Sequence, residues 1–284
     1  MNHLETGMAS IDGADLYYET SGEGQALVLV HAGFVDHRMW DAQFAVFAKY
    51  FRTIRYDMRG FGNSKFTGTQ FSHRRDLYQL LRFLKVERAH LIGCSLGGAT
   101  VIDFTLEHPE MVDSLVLISS ALGGYQFQGD MPKTMKDLSI ALESKDVARA
   151  AEIAVRIWID GPQRTADRVD PHLRDSVREM SLTALPNAFM KEELLEPSAS
   201  LRLGEIAVPS LVMVGDLDDD SVKAIGDSLA VGIVGSPKVV IPKAAHLPNL
   251  EQPERFNQAV LQFYANNQGE LVSHGKAISD SLSE

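Results

Sequence analysis

The chain has 284 residues, 45% of them hydrophobic and 23% charged, enough to bury a core in one domain or in one domain with a substantial insertion. Its net charge of −11 and pI near 5.3 argue against nucleic acid and anionic membrane as partners, since both are met with basic patches. One cysteine, Cys94, excludes an intrachain disulfide and any multi-cysteine metal site. No apolar run approaches the ~20 residues of a membrane span, and Met1 to Thr6 lack the basic and apolar stretches of a signal peptide. A cytoplasmic protein is therefore expected.

In chain order, residues 9–20 predict an antiparallel hairpin turning at Asp12-Gly13-Ala14, placed at one sheet edge. Residues 27–30 form an apolar strand, followed by a helix over about 39–47. A strand at 52–56 runs into the Gly-rich loop 57–64. A helix over 72–84 follows, with Leu77, Leu80, Leu81 and Leu84 at helical spacing. Further strands fall at 89–92, 114–118, 210–214 and 238–241, and a helix at 98–106. Continuous apolar strands alternating with helices imply an α/β protein whose mostly parallel sheet is covered on both faces.

Between 124 and 203 the strand rhythm stops. Helices are predicted over 136–159, 171–182 and 187–195, punctuated by Pro162, Pro171, Pro186 and Pro197. This stretch reads as a helical lid inserted into a core of residues 1–123 and 204–268, with 269–284 as a loosely held polar tail. Its Trp158, Met180 and Phe189 are candidates either to line a pocket, together with Phe34, or to pack lid helices against each other.

Gly93-Cys94-Ser95-Leu96-Gly97 lies between the strand at 89–92 and the helix at 98–106. Strand, G-x-S-x-G, helix is the setting of a nucleophile elbow, where a sharp turn exposes the serine hydroxyl. Serine needs a base, usually histidine, oriented by a carboxylate, and in this architecture acid and histidine follow the serine. His246, in the loop after the strand at 238–241, falls at the carboxyl edge of the sheet and is the candidate base. His108, His172 and His274 sit at a helix end, in the lid and in the tail. Gly215-Asp216-Leu217-Asp218-Asp219-Asp220 supplies the acid: Asp218 is the candidate, Asp216 the reserve, and Asp219 or Asp220 suits a helix cap. The oxyanion needs backbone N–H donors, assigned to Leu96 and Gly33, with Phe34 as the alternative to Gly33. His31 is expected to shape its loop, and Cys94 to fill space behind the turn.

Together these stretches resemble the α/β-hydrolase superfamily over about residues 10–266. His31-Ala32-Gly33 is similar to its His-Gly oxyanion loop with Ala32 in place of glycine, and Asp57-Met58-Arg59-Gly60-Phe61-Gly62-Asn63-Ser64 to its D-x-R-G-x-G-x-S loop. Gly215 to Asp218 resembles the acid turn, and His246-x-Pro248-x-x-Glu251-x-Pro253 the histidine loop. Residues 36–43 resemble the matching helix of small esterases and enol-lactonases. The resemblance implies an α/β-hydrolase fold and a serine hydrolase of small carboxylic esters or lactones, with no cofactor and no metal. It also implies that Asp57 and Arg59 are structural.

Two other readings stand beside this one. A C–C bond hydrolase of dienoate substrates would use the same triad, with Arg156, Arg164 or Arg174 on the substrate acid, unless these lid arginines are simply solvated. A ligand-binding receptor would keep the fold without multiple turnover.

Overall fold

The computed structural model describes residues 4–66, 70–127, 130–187 and 191–267. The strands are β1 (Glu5–Ile11), β2 (Ala14–Ser21), β3 (Ala26–Val30), β4 (Arg52–Tyr56), β5 (Lys65–Phe66), β6 (Ala89–Cys94), β7 (Val112–Ile118), β8 (Ser210–Gly215) and β9 (Lys238–Ile241). They form one sheet in the order β1-β2-β4-β3-β6-β7-β8-β9, with β5 beside β2. β1 and β2 pair antiparallel through a turn in which Gly13 takes φ 69°, and β2 joins β4 antiparallel. All pairs from β4 to β9 are parallel.

Period-two alternation divides the core into two layers. Val28 and Val30 of β3, with Leu115 and Leu117 of β7, pack in one apolar cluster with α2 (His73–Phe83), α3 (Leu96–Glu107) and α7 (Asp220–Gly232). Leu27, Leu29, Val116 and Ile118 face the opposite cluster, which α1 (Asp41–Phe47) and α9 (Pro253–Asn267) cover with Phe44, Phe47, Phe256 and Tyr264. A parallel sheet must be covered this way, because both faces of its central strands are apolar.

Between β7 and β8 the chain builds α4 (Lys133–Glu143), α5 (Val147–Val155) and α6 (Pro171–Ala184). The single helix predicted over 136–159 is broken. Lys145 takes φ 58°, which ends α4, and Asp146 starts α5 by accepting from the Arg149 amide at 3.1 Å. The final turn, Arg156–Asp160, then widens to π geometry. The helix predicted over 187–195 is not formed by residues 191–195. Glu192 instead pairs with Phe71 in a parallel bridge, and the Glu193 amide donates to the Phe71 carbonyl at 2.8 Å, so a tertiary contact overrides helical composition. The tail 269–284 lies outside the described residues. Among them, no helix is long and apolar enough to cross a membrane.

Candidate active site

Four loops meet at the carboxyl edge of the parallel strands, where open α/β sheets bind ligands. They follow β3, β6, β8 and β9 and carry Gly33, Ser95, Asp218 and His246. Ser95 takes φ 52° and ψ −113°, a conformation that side-chain-bearing residues rarely adopt. It is held there by its neighbours: its amide donates to the Ile118 carbonyl at 2.9 Å, and its carbonyl accepts from Ala121 at 3.0 Å. The flanking glycines are a packing requirement. A Cβ on Gly93 would sit 2.3 Å from the Gly97 carbonyl oxygen, and one on Gly97 2.3 Å from that of Val30. Gly97→Ala should therefore cost about 1–3 kcal/mol by urea denaturation, whereas Gly204→Ala, whose Cβ meets nothing within 4 Å, should change little. Equal effects at the two positions would sink the packing argument. Cys94 is fully buried behind the turn, and burial pushes its thiol pKa up, so it stays protonated.

His246 and Asp218 are both buried. His246 Nδ1 lies 3.0 Å from Asp218 Oδ2 and 3.2 Å from Oδ1, and Oδ1 also accepts from the Asp219 amide at 2.8 Å. Burial pushes the Asp218 carboxyl up, but the facing imidazole and that amide outweigh it and hold the group below the ordinary carboxylate range. An ionised Asp218 keeps the imidazole proton on Nδ1 and leaves the lone pair on Nε2. Nε2 is buried and has no hydrogen-bond partner among the described residues. Asp216 does a different job: its Oδ1 accepts from the Ala244 amide at 3.2 Å and braces the histidine loop. Asp219 caps α7 by accepting from the Ser221 amide at 2.9 Å.

Ser95 and His246 open onto one cavity of about 340 Å³. Gly33 and Leu96 line it beside the serine, and Leu96 is the first residue of α3, where amides have no partner within the helix. Its apolar wall is Phe34, Phe61, Phe71, Trp158 and Leu247. Arg59, His73, Asn187 and Glu192 form a polar wall. A wider groove of about 860 Å³ lies outside, bordered by Arg164, Arg168 and Lys243 and by Asp167, Asp170 and Glu251. It touches neither Ser95 nor His246.

A sequence profile of the alpha/beta hydrolase family matches residues 27–259. The chain belongs to this family. It is 30% identical over 257 residues to a pimeloyl-[acyl-carrier protein] methyl ester esterase of Pectobacterium carotovorum, covering 88% of this chain and 98% of that protein. It is 31% identical over 276 residues to a 2-hydroxy-6-oxononadienedioate/2-hydroxy-6-oxononatrienedioate hydrolase of Burkholderia vietnamiensis, covering 89% and 92%. Among solved structures, the enol-lactonase of Burkholderia xenovorans superposes with a TM-score of 0.74 at 25% identity, covering 90% of this chain and 99% of that one. The sheet order and flanking helices are those of the alpha/beta hydrolase fold.

In this alpha/beta hydrolase the inserted helices reach the histidine directly. The Trp158 ring lies 4.7 Å from the His246 ring, and the Trp158 carbonyl accepts from the His246 amide at 3.2 Å. Phe34 also stacks with Trp158, ring centroids 6.2 Å apart. Arg164 Nε donates to the Asp160 carbonyl at 2.9 Å, and its Nη2 reaches Glu251 at 2.6 Å. Glu251 in turn accepts from the Ala245 amide at 2.7 Å, so the turn holding Trp158 and the loop holding His246 are tied by one ion pair.

Two of the three lid arginines, Arg164 and Arg174, are therefore not solvated, contrary to one of the sequence readings, whereas Arg156 fits it. Arg164 pairs with Glu251 and Arg174 with Asp160, each cation only 15% and 12% exposed, while Arg156 is exposed. Met180 does not line the cavity. On α6 it falls one turn from Val177, and both point inward into the apolar cluster with Val155 and Ile159. Phe189 lies outside the described residues. His31 shapes its loop as expected: Nδ1 donates to the Ala32 carbonyl at 2.7 Å and Nε2 accepts from the Met58 amide at 2.9 Å. Burial keeps its pKa below the ordinary histidine value.

Asp36, His37 and Asp57 bring three potential metal-ligating atoms together, but Arg38 pairs with Asp36 at 2.8 Å, and Asp57 accepts from the His37 and Asn63 amides. These donors are occupied in bracing the loop after β4. Sequence reasoning missed the polar wall. Arg59 was visible in its motif as a structural residue, whereas His73, Asn187 and Glu192 carried no signal because only the fold brings them together.

Proposed function

We propose that the chain is a serine hydrolase of small carboxylic esters or lactones. The observation that carries the reading is Ser95 at a left-handed strand-to-helix turn, sharing one small cavity with a buried imidazole whose Nδ1 faces a carboxylate. Ser95 Oγ attacks the ester carbonyl carbon as its proton passes to His246 Nε2, and Asp218 balances the imidazolium. The Gly33 and Leu96 amides donate to the carbonyl oxygen as it becomes an oxyanion. Collapse breaks the bond to the alcohol, which leaves with the proton from His246. Water, deprotonated by the same nitrogen, then attacks the acyl-enzyme and frees Ser95. Residues 124–203 act as the lid, supplying Trp158, Asn187 and Glu192 to the cavity wall.

The C–C hydrolase reading draws support from the relative at 31% identity. The pairing of Arg164 and Arg174 weighs against it, because neither guanidinium is left for a substrate acid, and the third candidate, the exposed Arg156, does not line the cavity. A panel of p-nitrophenyl esters from acetate to octanoate tests the proposal. Multiple turnover of the shorter esters is expected, with a fall as the chain outgrows the cavity. A folded protein that turns over none of them, nor a simple lactone, would sink it.

A further inference from the structure

The polar residues of the cavity wall, set beside Phe61 and Phe71, have a definite charge character. Glu192 is fixed from both sides: its backbone bridges to Phe71, and its Oε1 accepts from the His73 amide at 2.9 Å. It thereby caps α2, whose own N-cap Ser72 makes no side-chain cap bond and instead accepts from Arg74. A carboxylate accepts about four hydrogen bonds, so this cap leaves capacity for a donor in the cavity.

The neighbouring cations are already spent on other acids. Arg59 forms a two-point pair with Asp76, Nε to Oδ2 at 2.8 Å and Nη2 to Oδ1 at 2.7 Å, and gives further donors to the Asp12 and Gly13 carbonyls. Arg74 lies 3.0 Å from Glu107. His73 is neutral, since burial drives its pKa to about 3. Asn187 donates to the Gly60 carbonyl at 2.8 Å. The wall therefore presents one acid among neutral groups and a cation already paired with another acid, with no unpaired cation among the described residues that line it.

We propose that Glu192 is a specificity-determining residue that selects uncharged substrates carrying a hydrogen-bond donor, such as a hydroxyl, at the end remote from the scissile carbonyl, and rejects those carrying a carboxylate there. The inference rests on the ester-hydrolase reading and narrows its substrate class. Burial, reinforced by Asp103 and Asp76 and opposed by the His73 amide and Arg74, raises the Glu192 pKa to about 7. An assay at about pH 8.5 therefore meets the charged form.

The test compares kcat/KM at that pH for p-nitrophenyl hexanoate, ω-hydroxyhexanoate and the adipate monoester. A second series places the hydroxyl or carboxylate on the alcohol of an acetate ester, followed by acid release. In the series that reaches the wall, the hydroxy compound should lead and the anion should trail the plain ester by about tenfold or more. Glu192→Gln keeps the cap acceptor and removes the charge, so it should fold and shrink the anion penalty about tenfold. Unchanged ratios in both series for folded Glu192→Gln, or a wild-type preference for the anion, would overturn the inference. The same ratios read as Kd by tryptophan fluorescence, in Ser95→Ala with and without Glu192→Gln, do not depend on turnover. Selective binding by Ser95→Ala, with no turnover by the wild-type protein, would sink the hydrolase reading and leave the selectivity standing. Binding without selectivity would sink the inference alone.

Discussion

Ser95→Ala is expected to lower kcat/KM on a p-nitrophenyl ester by about 10⁴-fold or more, with KM little changed. The oxygen that forms the acyl-enzyme would be gone, while Gly33, Leu96 and the apolar wall would still bind the ester. A loss under about tenfold would show that Ser95 is not the nucleophile. Ser95→Gly should be equally inactive yet more stable than Ser95→Ala. Alanine keeps the Cβ at φ 52° and ψ −113°, a placement costing about 1–3 kcal/mol, whereas glycine reaches this region freely and gives back about 0.5–1 kcal/mol in chain entropy. A net gain of about 1 kcal/mol for glycine over alanine in urea unfolding would show that the elbow stores backbone strain. A less stable glycine variant would show that it does not.

Arg59→Met is expected to destabilise the protein by about 3–5 kcal/mol, a large part of the total stability of an ordinary domain. The Arg59 and Asp76 side chains are 3% and 4% exposed, so the substitution leaves a carboxylate buried without its counter-charge. Burial already pushes the Asp76 pKa up against the pull of Arg59, which marks the pair as costly to desolvate. Replacing both partners, Arg59→Met with Asp76→Leu, should therefore recover most of the loss, to within about 2 kcal/mol of the parent. The residue is the cost of the Asp12 and Gly13 carbonyls losing their donor. Urea denaturation of the two single variants and the double variant measures this. A double variant as unstable as the sum of the singles would place the effect in packing rather than in the ion pair.

Local pattern was enough for most strands of the sheet and for naming the candidate serine. Apolar runs of strand length, the helical spacing of Leu77, Leu80 and Leu81, and serine between glycines are properties of contiguous residues, so they can be read before folding. Asp218 and Asp216 stand two residues apart and look alike in sequence. Only the path of the chain after β9 sets His246 Nδ1 against the first and the Ala244 amide against the second. The helical insertion was legible as composition, but not in its breaks, because the left-handed turn at Lys145 falls at a residue with no preference for it. The end of the predicted 187–195 helix failed for a related reason, since Phe71 captures the backbone of Glu192 and Glu193 from more than a hundred residues away. The charge state of the cavity is the most tertiary property of all. Whether Arg59, Arg164 and Arg174 are free cations depends on Asp76, Glu251 and Asp160, and their pairing arises only when burial makes an unpartnered charge too costly to keep.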